Sequence, residues 1–91
     1  MVVSLEETKL YLRVDGDEED TLISNFITSA EEICEGILRY SISELTTVPE
    51  TIKQAVLFTV ANMYEQRETF QASSVLEIVS RLLFVYRNES W

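Results

Sequence analysis

The chain has 91 residues, which is enough for one domain with a modest hydrophobic core. Sixteen acidic against seven basic residues give a formal net charge of −9, so the average surface repels phosphate and disfavours sequence-specific DNA binding. The chain has no histidine, the commonest general base, and its single cysteine cannot form a disulfide within the chain.

The first predicted helix begins after Ser4. Ser4 and Glu7 have the S-x-x-E spacing in which the serine oxygen caps a backbone amide and the glutamate reaches back, which predicts a helix to about Leu12. Residues 14–17 then break the helix, with Gly16 supplying a permissive backbone for the turn. Asp17 is placed to cap the next helix.

The second predicted helix extends from Asp17 to Leu38. Its acidic first turn suits the positive end of the helix dipole. Apolar residues recur at steps of three and four and form a wide face opposite three glutamates. These apolar residues are Leu22, Ile23, Phe26, Ile27, Ala30, Ile33, Cys34, Ile37 and Leu38.

Residues 39–48 lack this periodicity and are predicted to form a surface loop. Pro49 fits the first position of a third helix, because its missing amide costs nothing there. This helix is apolar on almost every side, which predicts a central, buried position. Leu57, Phe58 and Ala61 lie off its main stripe, so a second apolar side packs against either an extra helix or another subunit.

Residues 65–73 contain few apolar side chains and are expected to form a connecting loop. Ser74 and Glu77 form a second S-x-x-E pair, which predicts a short fourth helix with apolar residues at helical spacing to Leu83. Residues 84–91 are unusually apolar and aromatic for a chain terminus. Either fold-back on the subunit or docking on a partner would cover them.

Together these patterns predict one all-α domain over residues 1–91, a small bundle of about four helices, with residues 84–91 as a docking tail. No signal peptide is evident, and the apolar run at residues 56–64 is too short to cross a bilayer, so the chain is expected to be cytoplasmic without a membrane partner. The expected core is Leu12, Phe26, Ile27, Ala30, Ile33, Ile52, Val56, Val60, Met63 and Leu82.

No catalytic, cofactor-binding or metal-binding residue is predicted. The carboxylates at residues 15–20 begin like a calcium loop, but Asp20 stands where such a loop needs glycine and Phe26 where it needs glutamate. A helix start with an acidic first turn explains them better. Cys34 lies on the apolar face of the second helix, where burial keeps a thiol protonated and inert.

A set of arginines and aromatic residues is the candidate interface. Tyr64 and Arg67 share a helix face and could reach a neighbouring chain, although core packing also explains Tyr64. The C-terminal residues are of the types enriched at interface hot spots. The full set is Arg13, Tyr64, Arg67, Phe84, Tyr86, Arg87 and Trp91.

The order of these elements resembles the head-completion or head-tail connector family of tailed phages and prophages. The similarity covers nearly the whole chain and is carried by helix boundaries rather than by a catalytic signature. The segments that carry it are Tyr11-Leu12-Arg13-Val14-Asp15, the acidic start of the second helix, Val48-Pro49, Tyr64-Glu65-Gln66-Arg67-Glu68, and Leu82-Leu83 to Tyr86-Arg87.

The resemblance implies a structural virion protein at the head-tail junction, assembled in the host cytoplasm. It implies a homo-oligomeric ring of about twelve subunits, with the portal protein above and a stopper or tail-completion protein below. DNA would pass through the channel without sequence-specific binding. The alternatives are a small acidic interaction or regulatory module of phage or bacterial origin, and an enzyme subunit without its own active site.

Overall fold

A computed structural model describes residues 3–66 and 72–86. Within these ranges the chain contains α-helices and two one-turn 3-10 helices, with no strand, which confirms the predicted all-α class. The helices are α1 (Leu5–Leu12), α2 (Asp20–Leu38), α3 (Glu50–Glu65) and α4 (Ala72–Leu83), and the 3-10 turns are Ile42–Glu44 and Phe84–Tyr86.

Helix α3 is the centre of the domain and contacts α1, α2 and α4. Its buried residues are Ile52, Ala55, Val56, Leu57, Thr59, Val60 and Met63. Leu57 lies off the main stripe and is nevertheless buried within the subunit. The second apolar side of α3 is therefore covered in part by the chain's own helices, while Phe58 and Ala61 are only half-buried.

The helices around α3 each bury one stripe. In α4 the buried residues are Val75, Val79 and Leu83, four residues apart, so one narrow face meets the core. In α2 the buried stripe is wider and comprises Ile23, Ile27, Ala30, Cys34 and Leu38.

Six of the ten predicted core residues are buried: Ile27, Ala30, Ile52, Val56, Val60 and Met63. Leu12, Phe26 and Ile33 are only half-buried. The prediction that Leu82 is a core residue was wrong, since its side chain is 38% exposed. It lies about 100° around the helix from Leu83, outside the narrow face that α4 buries.

The capping box of α1 is present as predicted. The Ser4 hydroxyl accepts a hydrogen bond from the Glu7 backbone amide at 3.0 Å, and the Ser4 amide donates to Glu7 Oε1 at 3.3 Å. The left-handed residue that ends α1 is Arg13, with φ 62°, whereas Gly16 has no positive φ. The permissive position had been expected at Gly16, so the residue in the left-handed conformation lies three positions earlier than predicted, while the predicted end of α1 at Leu12 is confirmed.

The start of α2 was predicted wrongly at Asp17. The helix begins at Asp20, and the Asp17 carbonyl accepts from the Asp20 amide at 3.3 Å in the preceding turn. Two contacts from distant parts of the chain hold this end instead. Lys9 Nζ lies 2.7 Å from Asp20 Oδ1, and the Tyr64 hydroxyl donates to Glu19 Oε1 at 2.6 Å.

Two further helix starts differ from the local pattern. Pro49 is the N-cap of α3, one residue before its first helical position, and its carbonyl accepts from the Ile52 amide at 3.1 Å. Helix α4 begins at Ala72, so Ser74 lies inside it rather than capping it. The Glu77 side chain instead accepts a hydrogen bond from Arg81 at 3.2 Å.

The connection between α2 and α3 is more than the surface loop that was predicted. Ile42 is buried in the core, and the 3-10 turn that carries it is capped by Glu35 from α2. Glu35 Oε2 accepts from the Ile42 amide at 2.7 Å and from the Ser41 hydroxyl at 3.2 Å. An apolar side chain and a capping carboxylate therefore fix this loop at the end of α2.

The isoleucines of α2 and α4 allow a matched test of the core. Ile27 is fully buried, whereas Ile78 is 47% exposed. We expect Ile27→Ala to lower the free energy of unfolding by about 2–5 kcal/mol, because it leaves a cavity. Ile78→Ala in the isolated subunit should cost about 0.5 kcal/mol or less. Urea unfolding monitored by circular dichroism measures both, and equal losses would contradict this assignment of the core.

Two arginines at helix ends provide a second test of the fold. Arg13 and Arg39 adopt left-handed conformations, with φ 62° and 67°, which glycine accepts with less strain. Arg13→Gly and Arg39→Gly should each raise the free energy of unfolding by about 0.5–1 kcal/mol. Arg81→Gly, inside α4, should lower it by about 1 kcal/mol. If all three substitutions lower the free energy of unfolding equally in urea, the left-handed conformations of Arg13 and Arg39 are wrong.

Candidate assembly surfaces

The large hydrophobic residues exposed in residues 3–66 and 72–86 all lie on α1, on α4 or on the 3-10 turn after α4. They are Leu10, Tyr11, Leu76, Ile78, Leu82, Phe84 and Val85. We call Leu10 and Tyr11 the α1 patch, and Ile78, Leu82 and Val85 the α4 patch. The two patches are therefore distinct surfaces of the subunit.

The α4 patch lies beside the face that α4 buries. Ile78 and Leu82 are one turn apart, and Val85 follows in the 3-10 turn. The buried face of the same helix is made by Val75, Val79 and Leu83. The apolar surface of α4 is therefore wider than the part that its own subunit covers.

Of the α1 patch, Leu10 lies opposite the buried side of α1. Thr8 is fully buried, and its hydroxyl donates to the Ser4 carbonyl at 2.8 Å. Leu10, on the other side of the helix, is 80% exposed. Glu6 and Glu7 precede Leu10 and Tyr11 by one helical turn each, so the patch has carboxylates beside it.

In the C-terminal segment, Tyr86 contacts the core, whereas Phe84 and Val85 are exposed. Tyr86 packs against the core, and its carbonyl accepts a hydrogen bond from the Tyr40 hydroxyl at 2.8 Å. Phe84 and Val85 are 60% and 79% exposed. Arg87 and Trp91 lie outside the described residues, so whether the rest of the tail docks or folds back remains a prediction.

The remaining candidate residues do not form one site. Tyr64 packs against the core and donates its hydroxyl to Glu19 Oε1 at 2.6 Å. The bond orients the ring towards its own subunit. Arg13 is exposed at the end of α1, and Arg67 lies outside the described residues. The sequence singled out Phe84 and Tyr86 but missed Leu10, Ile78 and Leu82, because position in a helical stripe does not reveal which side a neighbouring helix covers.

Charges of both signs lie near each of the two patches. In α1, Lys9 is paired with Asp20 at 2.7 Å, and the exposed charges beside Leu10 and Tyr11 are those of Glu6, Glu7 and Arg13. In α4, Arg81 lies between Ile78 and Leu82 in sequence. Its pair with Glu77 is highly exposed at both side chains, and such surface pairs contribute little stability.

The buried Cys34 is not a reactive thiol. Burial raises the pKa of the Cys34 thiol to about 12, with a hydrogen bond to Thr59 acting in the opposite direction and Glu31 and Glu35 adding to the rise. The thiol is therefore protonated at neutral pH, as the sequence predicted.

Among residues 3–66 and 72–86, no three or more metal-binding side chains come together. None of the described helices combines the length and apolar character required to span a bilayer.

Comparison with known proteins gives one match. A family model described as "Phage gp6-like head-tail connector protein" matches residues 2–86, which is nearly the whole chain. The match confirms the resemblance seen in the helix boundaries. No curated protein and no solved structure matches the chain.

The raised pKa of Cys34 predicts slow alkylation. At pH 8 we expect iodoacetamide to label Cys34 only as fast as the domain opens, and to label it rapidly in concentrated urea. The exposed thiol of a Ser29→Cys variant should react at once under native conditions and so controls for the reagent. Because the pKa rises from 9.0 in the unfolded chain to about 12, the contribution of Cys34 to stability is constant below pH 9 and is lost between pH 9 and 12. Rapid native labelling at pH 8 would show that the thiol is not buried.

Proposed function

The chain belongs to the phage gp6-like head-tail connector family, and from this membership we propose that it is a structural virion protein that completes the head and connects it to the tail. The family is structural and is not a known enzyme family. Membership favours this role over the regulatory module and the enzyme subunit that the composition alone left open. The observation that carries the proposal is the family match over residues 2–86.

We place the protein beneath the portal, at the head-tail junction of a virion assembled in the host cytoplasm. There it forms a homo-oligomeric ring of about twelve subunits that extends the DNA channel. A closed ring needs two different contact surfaces on each subunit, and the exposed apolar residues on both α1 and α4 support such an arrangement. A net charge of −9 lets DNA pass without sequence-specific binding.

The C-terminal tail, residues 84–91, is our candidate for docking on the portal or on an adjacent connector subunit. Phe84 and Val85 support this role, because they are adjacent, largely exposed apolar side chains, and contiguous exposed apolar surface marks sites of protein interaction. We retain Arg13, Tyr64, Arg67, Tyr86, Arg87 and Trp91 as further candidate contact residues. The opposite side of the ring provides the attachment site for a stopper or tail-completion protein.

Removal of the gene from its phage tests the function. Without the protein we expect heads that package DNA but acquire no tails, and the full chain supplied in trans should restore tailed particles. A variant truncated after Leu83 should keep nearly all its helical content and yet fail to attach to portal-bearing heads. Electron microscopy counts the tailed particles, and sedimentation of heads measures attachment.

Tyr40→Phe is the matched control for the truncation. It removes the hydrogen bond to the Tyr86 carbonyl and leaves every residue of the tail in place. The loss of one hydrogen bond should cost about 1 kcal/mol of stability, and attachment should be normal. If the truncated protein attaches normally, the tail has no docking role, and if its helicity collapses, the tail belongs to the core of the subunit. Normal tailing without the gene would contradict the connector function itself.

A further inference from the structure

We propose that a cleft beside the α2–α3 connection binds residues 87–91 of the same chain, with the indole of Trp91 inside it. The contact belongs to the free subunit, so it goes beyond the connector function and does not depend on it. Residues 87–91 lie outside the described ranges, and the described chain stops at Tyr86.

The cleft is the first observation. Its volume is about 490 Å³, within the range of pockets that bind small ligands. Its walls combine apolar, hydroxyl and charged side chains, which are Glu35, Ile42, Ser43, Thr46, Thr47, Val48 and Lys53. Glu35 Oε2 accepts from the Ile42 amide at 2.7 Å and from the Ser41 hydroxyl at 3.2 Å. These hydrogen bonds fix one wall of the cleft before anything binds.

The position at which the described chain stops is the second observation. The Tyr86 carbonyl accepts a hydrogen bond from the Tyr40 hydroxyl at 2.8 Å, which ties the end of the described chain to the start of the α2–α3 connection. The cleft residue Ile42 follows Tyr40 by two positions, a separation of at most about 7 Å between α-carbons. Five further residues span up to about 17 Å when extended. Residues 87–91 are therefore long enough to reach the cleft.

The lining of the cleft suits the last residue of this segment. The indole of a tryptophan has a large apolar body and one N–H donor, so it needs apolar contact together with a hydrogen-bond acceptor. The aliphatic walls of the cleft supply the contact, and its three hydroxyl groups supply acceptors. The Lys53 ammonium can lie over the face of the ring. Trp91 therefore fits the cleft through its shape and its single donor, without any need for an ion pair.

Attachment to the same chain favours this segment over a separate partner as the occupant. A tethered segment acts at an effective concentration in the millimolar range. A contact too weak to form between separate molecules is therefore well populated within one molecule. Release of the segment costs correspondingly little, so a partner with a higher affinity for the tail can withdraw it from the cleft.

Fluorescence of the free 91-residue chain tests the contact. Trp91 is the single tryptophan, so the signal reports on this residue alone. We expect acrylamide to quench it about threefold less in the native chain than in urea, because a buried indole is shielded from the quencher. This protection should be the same between about 1 and 100 μM protein, because the contact is intramolecular. Protection only at high concentration would show that the tail enters a second copy, and native quenching equal to that in urea would show an empty cleft. Either result overturns the proposal.

Two matched variants locate the protection. Thr47 and Thr28 are both exposed, but only Thr47 lines the cleft. Thr47→Glu places a longer side chain in the cleft and a carboxylate within reach of Lys53, so the protection of Trp91 should be lost. Thr28→Glu, on α2, should keep it. Circular dichroism checks that both variants retain their helices. Equal protection in the two variants would show that another surface covers Trp91, which overturns the assignment to the cleft.

A disulfide within one chain gives a readout that is independent of the Thr47 variant. Ser43→Cys combined with Ser90→Cys should form an intramolecular disulfide on mild oxidation, whereas Ser29→Cys combined with Ser90→Cys should give no more than a trace. Cys34 is buried, so it remains in both proteins. Equal yields from the two pairs would refute the cleft contact and leave the connector function standing. Conversely, the expected disulfide together with normal tailing in the absence of the gene would support the contact and refute the function.

Discussion

The burial of α3 is the constraint on which the rest of this structure depends. A helix with apolar residues on most of its circumference must be enclosed, and in this chain α1, α2 and α4 enclose it. Each of these three helices buries one face in this packing. The positions of the loops follow, because Ile42 and the Glu35 cap hold the α2–α3 connection against the same core.

A chain of this length cannot also cover its outer helices. Enclosing α3 uses the inner faces of α1 and α4, and no further helix in the described residues lies outside them. Leu10 of α1 and Ile78 of α4 are consequently exposed to solvent, outside the faces that their helices bury. The exposed patches are thus a direct result of putting an all-round apolar helix at the centre of a small domain.

The sequence predicted the helices well because their stripes are a local property, but it predicted several ends wrongly because those ends depend on distant residues. The α1 capping box and the buried stripe of α2 can be read from spacing alone. The start of α2 at Asp20 depends on Lys9 and Tyr64, which no local pattern connects to it. Similarly, Leu82 and Leu83 are equivalent in sequence, and only the packing of α4 shows that Leu83 is inside and Leu82 outside.

Partner binding and folding are thermodynamically linked for a subunit with exposed apolar surface. The isolated subunit exposes apolar side chains on α1 and α4, and it holds two arginines in left-handed conformations that glycine would adopt with less strain. Partners that bind only the folded subunit shift the folding equilibrium towards the native state by mass action. A partner that covers the exposed apolar residues of α1 and α4 would therefore stabilise the folded subunit.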